Sequence, residues 1–304
     1  MTLDLSTVAH ELIGRFRRQK PLRGGSLIVT IFGDSLMPRG GSIALGSLIR
    51  ITAPFGLNER LVRTATTRLA QEGWLQARRP GKLSEYQLSG TGRERFAEAT
   101  ERIYGEPNTP WTGRWTLLVL PALRASERDN YKKDLAWQGF GELTTGIFAH
   151  PESRPNGFDL QTSGFKLPTA TLMFTADLSR DTAPSNLVDL GWDLADLGKR
   201  YQRFLQRFER AAIATKARSD PKAAFIVRTL LIHDYRRLHL RDPLLPQRLL
   251  PAEWPGTRAA ELCRDIYPRL FTASESYLSE HAAQLDGPLP AAEPAILKRF
   301  GGLR

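Results

Sequence analysis

The stretch LGSLIRITAPFGLNERLVRTATTRLAQEGW, Leu45 to Trp74, continued by LQARRPGKLSEYQL, Leu75 to Leu88, decides the reading of this chain. Ser47–Ala53 predicts a short helix that Pro54 ends, and Pro54-Phe55-Gly56-Leu57 predicts a tight turn. Asn58 is a favourable N-cap, with Glu59 at the positive end of the dipole, for a helix from Glu59 to Glu72 that stops at Gly73. At about 100° per residue, Leu61, Val62, Ala65 and Leu69 share one stripe that must face a core. Arg60, Arg63 and Thr67 fall on the opposite side, beside Thr64, Arg68 and Gln71.

Helix, short turn and helix with that polarity is the helix-turn-helix arrangement, whose exposed guanidinium and hydroxyl groups can reach base edges and phosphates. Trp74–Arg79 then alternates, Pro80-Gly81-Lys82 turns, and Leu83–Leu88 alternates back. This predicts a β-hairpin tipped by Arg78, Arg79 and Lys82. A helix-turn-helix followed by such a hairpin is a winged helix, with the tip along phosphates or in the minor groove. Thr91 is the expected cap of a further helix reaching Tyr104.

The charge distribution points the same way. The 304 residues carry a net +11. From Arg15 to Lys82, thirteen basic residues face only Asp34, Glu59 and Glu72, leaving about +1 for the rest of the chain. A surplus so concentrated is the footprint of a polyanion-binding module. A single cysteine, Cys263, excludes an intramolecular disulfide and a cysteine-ligated metal site. The longest uncharged apolar run, about Trp115 to Leu123, is half a membrane span, and the N-terminus lacks a signal-peptide pattern. The expectation is a cytoplasmic protein with no membrane partner.

Upstream, a helix is predicted from Ser6 to before Pro21, and a second from Leu27, capped by Ser26, to about Leu36. Downstream, Pro107–Pro110 reads as a linker. Strands are predicted at Trp115–Leu120, Glu142–Ala149 and Leu172–Leu178, with a helix from Ser126 to Gln138, which together make a small α+β sandwich. Helices follow from Asp193 to about Lys216, from Lys222 to Leu240, and from Thr257 to about His281, the last with a kink expected at Pro268. The long helix places Leu194, Leu197, Tyr201, Phe204, Phe208 and Ala211 on one face. Five histidines, none paired at i, i+4 spacing, and the absence of a nucleophile elbow or phosphate loop give catalysis no support. No catalytic residue, metal or cofactor is expected.

SLIVTIFGD (Ser26–Asp34), the Leu45–Trp74 stretch, LSGTGRERF (Leu88–Phe96), YKKDLAWQGFGELTTGIFAHP (Tyr131–Pro151) and RDPLLPQRLLPAEWPG (Arg241–Gly256) together resemble the PaaX family. The likeness covers almost the whole chain, apart from Pro268 inside an expected helix and the segment after His281. It implies a repressor of phenylacetate (aromatic acid) catabolic genes, a homodimer on palindromic operator DNA released by an aryl-acyl-CoA such as phenylacetyl-CoA. It also implies a ferredoxin-like middle domain similar to a CRISPR-associated endoribonuclease. The expected organisation is an α+β multidomain chain. An N-terminal helix (1–25) precedes a winged helix-turn-helix (26–106), a ferredoxin-like α+β domain (111–183), an α-helical domain (187–284) and a flexible tail (285–304). Trp137, Gly139, Arg241, Asp242 and Trp254 are the candidate effector contacts, because a thioester with phosphates, adenine and acyl group asks for cations, aromatic rings and an apolar slot. Two other readings stay open: an RNA-binding or RNA-processing protein using the basic module and middle domain, and a CoA-thioester-processing enzyme.

Overall fold

A computed structural model describes residues 4–19, 24–105, 110–152, 166–215 and 220–303. The chain forms two compact units: Met1–Glu106 with Arg203–Arg237 and Thr257–Arg304, and Pro107–Gln202 with Leu238–Gly256. Most of the expected linker, residues 107–109, lies outside the described residues.

The first unit opens with α1 (Leu5–Arg17) and α2 (Gly24–Ile31). α2 runs into a wider π-type turn at Phe32–Leu36, then a 3-10 turn at Met37–Arg39. Ser26 therefore sits inside α2 instead of capping it. A short strand that the sequence did not announce, β1 (Ser42–Ala44), leads into α3 (Leu45–Thr52). Gly56, at φ +85°, ends the turn after α3, a conformation open to glycine at little cost. α4 (Glu59–Gln71) then starts at Asn58, whose side chain accepts from the Leu61 N–H at 2.9 Å. Buried Val62, Thr66 and Leu69 fix its inner face. Gly24 lets α2 and α4 approach closely, since a Cβ there would meet the Leu61 side chain at 2.2 Å.

β2 (Leu75–Arg78) and β3 (Glu85–Leu88) form an antiparallel hairpin, and β1 pairs on the far side of β3 to give the order β1-β3-β2. The next helix, α5 (Gly90–Tyr104), is capped by Ser89 and not Thr91: the Ser89 Oγ accepts from the Gly92 N–H at 2.8 Å.

In the second unit β4 (Trp115–Val119) leads through α6 (Ala125–Trp137) to β5 (Gly141–Thr144) and β6 (Ile147–Pro151), then to β7 (Leu172–Ala176). The single strand expected over Glu142–Ala149 is a hairpin, because Gly146 turns the chain at φ +80°. The antiparallel sheet has the order β5-β6-β4-β7. Leu118, Leu135, Phe140 and Phe148 pack on one side of it. Trp115, Ala149, Val188 from α7 (Pro184–Gly191), Leu245 and Leu249 form another cluster.

Three long helices complete the chain: α8 (Leu194–Ala214), α9 (Pro221–His239) and α10 (Pro255–His281), which runs on through Pro268. Within the first unit Phe204, Phe208 and Ala211 are buried, as the helical spacing required. An aromatic chain links α1, the turn after α3, α9 and α10. Phe16 meets Phe55 edge-on at 6.5 Å, Phe55 meets Phe225 at 5.9 Å, and Phe225 stacks on Tyr277 at 5.0 Å.

The expected flexible tail is instead packed structure. β8 (Ala283–Gln284) and β9 (Gly287–Pro288) form a small hairpin, and a 3-10 stretch at Pro294–Gly301 buries Ile296, Arg299 and Phe300. The reason is electrostatic. Asp34, in the π-type turn after α2, is buried with Arg228 of α9, its carboxylate 2.9 Å from the Arg228 Nε. Arg299 lies 2.9 Å from the same carboxylate, and the Tyr104 and Tyr267 hydroxyls donate to it at 2.6 and 2.8 Å. Glu275 takes Arg228 at 2.6 Å and also pairs with Arg39. Burial by itself raises the Asp34 pKa, but Arg228, Arg299 and the two hydroxyls outweigh it and hold the carboxyl below its ordinary value. The Tyr267 hydroxyl is pushed up to about 12, chiefly by burial. With a depressed folded-state pKa, the stabilisation from Asp34 is present above the ordinary carboxylate value and lost as pH falls below it. Removing the carboxylate strands the buried Arg299 guanidinium and leaves buried Arg228 with Glu275 alone among the described carboxylates. Asp34→Ala should therefore cost about 3–5 kcal/mol in chemical denaturation. A loss under about 1 kcal/mol would contradict this role.

Candidate nucleic-acid interface

All nine residues expected to contact nucleic acid are solvent-exposed: Arg60, Arg63, Thr64, Thr67, Arg68 and Gln71 on α4, and Arg78, Arg79 and Lys82 on the β2–β3 hairpin. They differ in how free their charges are. Arg63 is paired with Glu59 at 2.7 Å, and Arg68 with Glu72 at 2.6 Å, both one helical turn apart. Such exposed pairs are worth a few tenths of a kcal/mol, roughly, and yield readily to a phosphate or a base edge. Arg78 is held by Asp286 at 2.8 Å and faces Glu85 at 3.7 Å. Among the described residues no carboxylate pairs with Arg60, Arg79 or Lys82. Thr64 donates to the Arg60 carbonyl at 2.9 Å.

The inner stripe of α4 is turned slightly from the one the spacing gave. Thr66 is fully buried while Leu61 and Ala65 are half-buried. The Thr66 hydroxyl is satisfied by the Val62 and Arg63 carbonyls at 3.0 and 3.1 Å. Tyr86 of β3 lies over this face, and sequence reasoning assigned it no role. Only its place in the strand alternation marks it as inward-facing.

The effector candidates all belong to the second unit, where they are not equivalent. Asp242 is buried and fully engaged: it accepts from the Tyr201 hydroxyl at 2.8 Å and from the Leu244 N–H at 2.8 Å. Trp254 is buried edge-on to Tyr201 at 5.9 Å. Gly139, at φ +91°, has the Pro243 carbonyl and His150 close by, and its own carbonyl accepts from the Trp192 Nε1 at 3.1 Å. Trp137 is half-buried, and Arg241 is exposed. A cleft of about 490 Å³ opens elsewhere in this unit, between α7, the start of α8 and the segment 248–251. Val188, Leu194, Leu249 and Pro251 line it with Ser185 and Arg248, and it includes none of the five candidates. Among the described residues no cluster of three His, Cys, Asp or Glu could hold a metal ion, and no helix is long and apolar enough to cross a membrane.

Three family models match in succession: the PaaX-like protein over residues 23–92, the PaaX central Cas2-like domain over 108–188, and the PaaX-like C-terminal domain over 192–280. The transcriptional repressor PaaX of Escherichia coli (strain K12) is 39% identical over 291 residues, covering 93% of this chain and 92% of that protein. The chain belongs to the PaaX family. A solved structure, the uncharacterized protein Rv0674 from Mycobacterium tuberculosis, is also similar, at 28% identity with a TM-score of 0.52 over 76% of this chain and 89% of that one. The PaaX-like match at 23–92 contains α4 and the β2–β3 hairpin whole, and the Cas2-like match contains β4 to β7.

His150, beside Gly139, supplies a measurable mark of the second unit's integrity. Burial pushes its pKa down from the ordinary 6.5 to about 4. The unfolded chain then takes up the proton first, so stability should fall as pH drops from 6.5 toward 4, by up to about 3 kcal/mol. Denaturation of wild type and His150→Gln across that window should show the slope in the former and its loss in the latter.

Proposed function

We propose that this chain is a transcriptional repressor that reads duplex operator DNA with a winged helix-turn-helix. In this reading α3 and α4 are the two helices, α4 enters the major groove, and the β2–β3 hairpin is the wing. The observation that carries it is the exposure of every residue of the predicted contact set in the region matched by the PaaX-like model. The repressor of Escherichia coli, similar over nearly its full length, supports a regulator and not an enzyme. The likeness to PaaX implies a homodimer on a palindromic site, where two copies of one helix would read two half-sites about one helical turn apart.

Arg60 and Arg63 are the base-reading candidates, and Arg79 and Lys82 the phosphate-neutralising ones. Against a duplex enriched by in vitro selection, Arg63→Ala should cost about 1–3 kcal/mol and relax specificity at one position. Equal losses on selected and random duplex would assign Arg63 to a phosphate instead. Replacing Arg79 and Lys82 by alanine should flatten the slope of log K against log salt by roughly 0.9 for each phosphate no longer neutralised. An unchanged slope would remove the wing from the interface.

Release by an aryl-acyl-CoA such as phenylacetyl-CoA completes the proposal, with the effector site in the second unit. The cleft by α7 supports it better than Asp242 and Trp254, whose buried polar and aromatic groups already satisfy one another. Its apolar walls suit an acyl group, and Arg248 suits an anion. Ligand must favour the conformation that cannot bind DNA, by about 10⁴-fold to move occupancy from nearly full to nearly empty. Ala195→Trp, which fills the cleft from an exposed position at the start of α8, should abolish the thermal stabilisation given by phenylacetyl-CoA while leaving duplex binding intact. Unchanged stabilisation would place the site elsewhere.

A further inference from the structure

β3 presents two consecutive side chains to opposite faces of the small sheet, one toward Arg78 at the end of β2 and one toward Arg79 just beyond it. On one face, buried Glu85 stands opposite Arg78 in register. Its carboxylate accepts from the Leu285 N–H at 3.3 Å and faces the Arg78 guanidinium, which Asp286 at the β8–β9 turn pairs at 2.8 Å. The β8–β9 hairpin is fixed in turn by the Ala283 N–H, which donates to Ser47 of α3 at 3.0 Å. On the other face, Tyr86 is buried, and Thr66 and Thr67 of α4 and Arg79 are the polar neighbours of its hydroxyl. Burial raises the Tyr86 pKa, but these three partners outweigh it and lower the pKa.

We infer that Tyr86 and Asp286 are positioning residues that set the angle between α4 and the β2–β3 hairpin, making the C-terminal hairpin β8–β9 a structural part of the DNA-reading surface. On this view Arg78 is a strut and does not bind phosphate. Glu85 is too buried to be left without a cation, and a guanidinium held between two carboxylates is already neutralised. Thr67, on the exposed face of α4, is a neighbour of the Tyr86 hydroxyl at the root of the wing, so a shift of the wing moves the reading face with it. The inference rests on the DNA reading proposed above, but its geometry is testable in the free protein.

The test uses the full chain with Tyr86→Phe, which keeps the ring and removes the hydroxyl, and Asp286→Asn. In the free protein, amide hydrogen exchange over residues 75–88 should quicken in both variants while thermal melting stays cooperative. On DNA, the affinity ratio of selected to random duplex should fall about five-fold in Tyr86→Phe, the scale of a single hydrogen bond, with the salt slope unchanged. In Asp286→Asn the ratio should also fall, even though removing an acidic group beside the hairpin strengthens binding to any duplex. Unchanged exchange in both variants would overturn the bracing whatever the DNA result. So would equal effects of Tyr86→Phe on selected and random duplex. A wild type without preference for any selected duplex, together with faster hairpin exchange in the variants, would defeat the DNA reading and leave the bracing supported.

Discussion

One buried carboxylate organises the first unit. Asp34 receives two guanidiniums and two phenolic hydroxyls, drawn from α5, α9, α10 and the 3-10 stretch before the C-terminus. None of these groups is comfortable alone in a desolvated core, and a buried charge without its partner costs several kcal/mol, roughly. Each segment is therefore held to the others by a requirement for charge balance as well as by apolar packing. Hydrophobic replacements of similar volume can match such clusters in stability. What this one adds is a fixed geometry: with Arg228 already on the Asp34 carboxylate, Arg299 brings the C-terminal segment to the same point.

That constraint reaches the candidate interface through short paths. Asp34 follows α2, which packs closely against α4 at Gly24. Arg39, just beyond Asp34, pairs with Glu275 and donates to the Pro290 carbonyl, so the residues after the β8–β9 hairpin are tied to the same cluster. The hairpin itself touches α3 and β3 through Ser47 and Glu85. α4 and the wing thus rest on a scaffold whose parts are more than two hundred residues apart in sequence.

Much of this was legible from the chain. The Asn58 cap, the Gly56 turn, the exposed set on α4 and the cationic hairpin are local features, set by neighbours within a few residues, and the structure has them where the spacing put them. The pairings of Arg63 with Glu59 and Arg68 with Glu72 could also have been read from their spacing. Partnerships across the chain were not legible. Asp34 looks like a lone acid in a basic segment, Arg299 like a surface cation in a Pro-rich tail, and Asp286 like an ordinary turn residue. The flexible tail expected there is instead a short hairpin that includes Pro288 and a 3-10 stretch that starts at Pro294 and buries Arg299. Partnerships also decide how the effector set reads: Asp242 and Trp254 have the chemistry of a ligand site, but both meet Tyr201, in a different predicted element well upstream, and the Asp242 carboxylate already accepts from its hydroxyl.

The central claim is that α4 and the β2–β3 hairpin form the nucleic-acid surface and that it takes duplex DNA. The most direct measurement is hydrogen–deuterium exchange of the full chain with selected duplex and, separately, with single-stranded RNA. The account predicts protection over residues 58–72 and 75–88 on adding duplex, and little change there with RNA. Protection confined to the sheet of the second unit, residues 115–176, and produced by RNA instead of duplex, would contradict it.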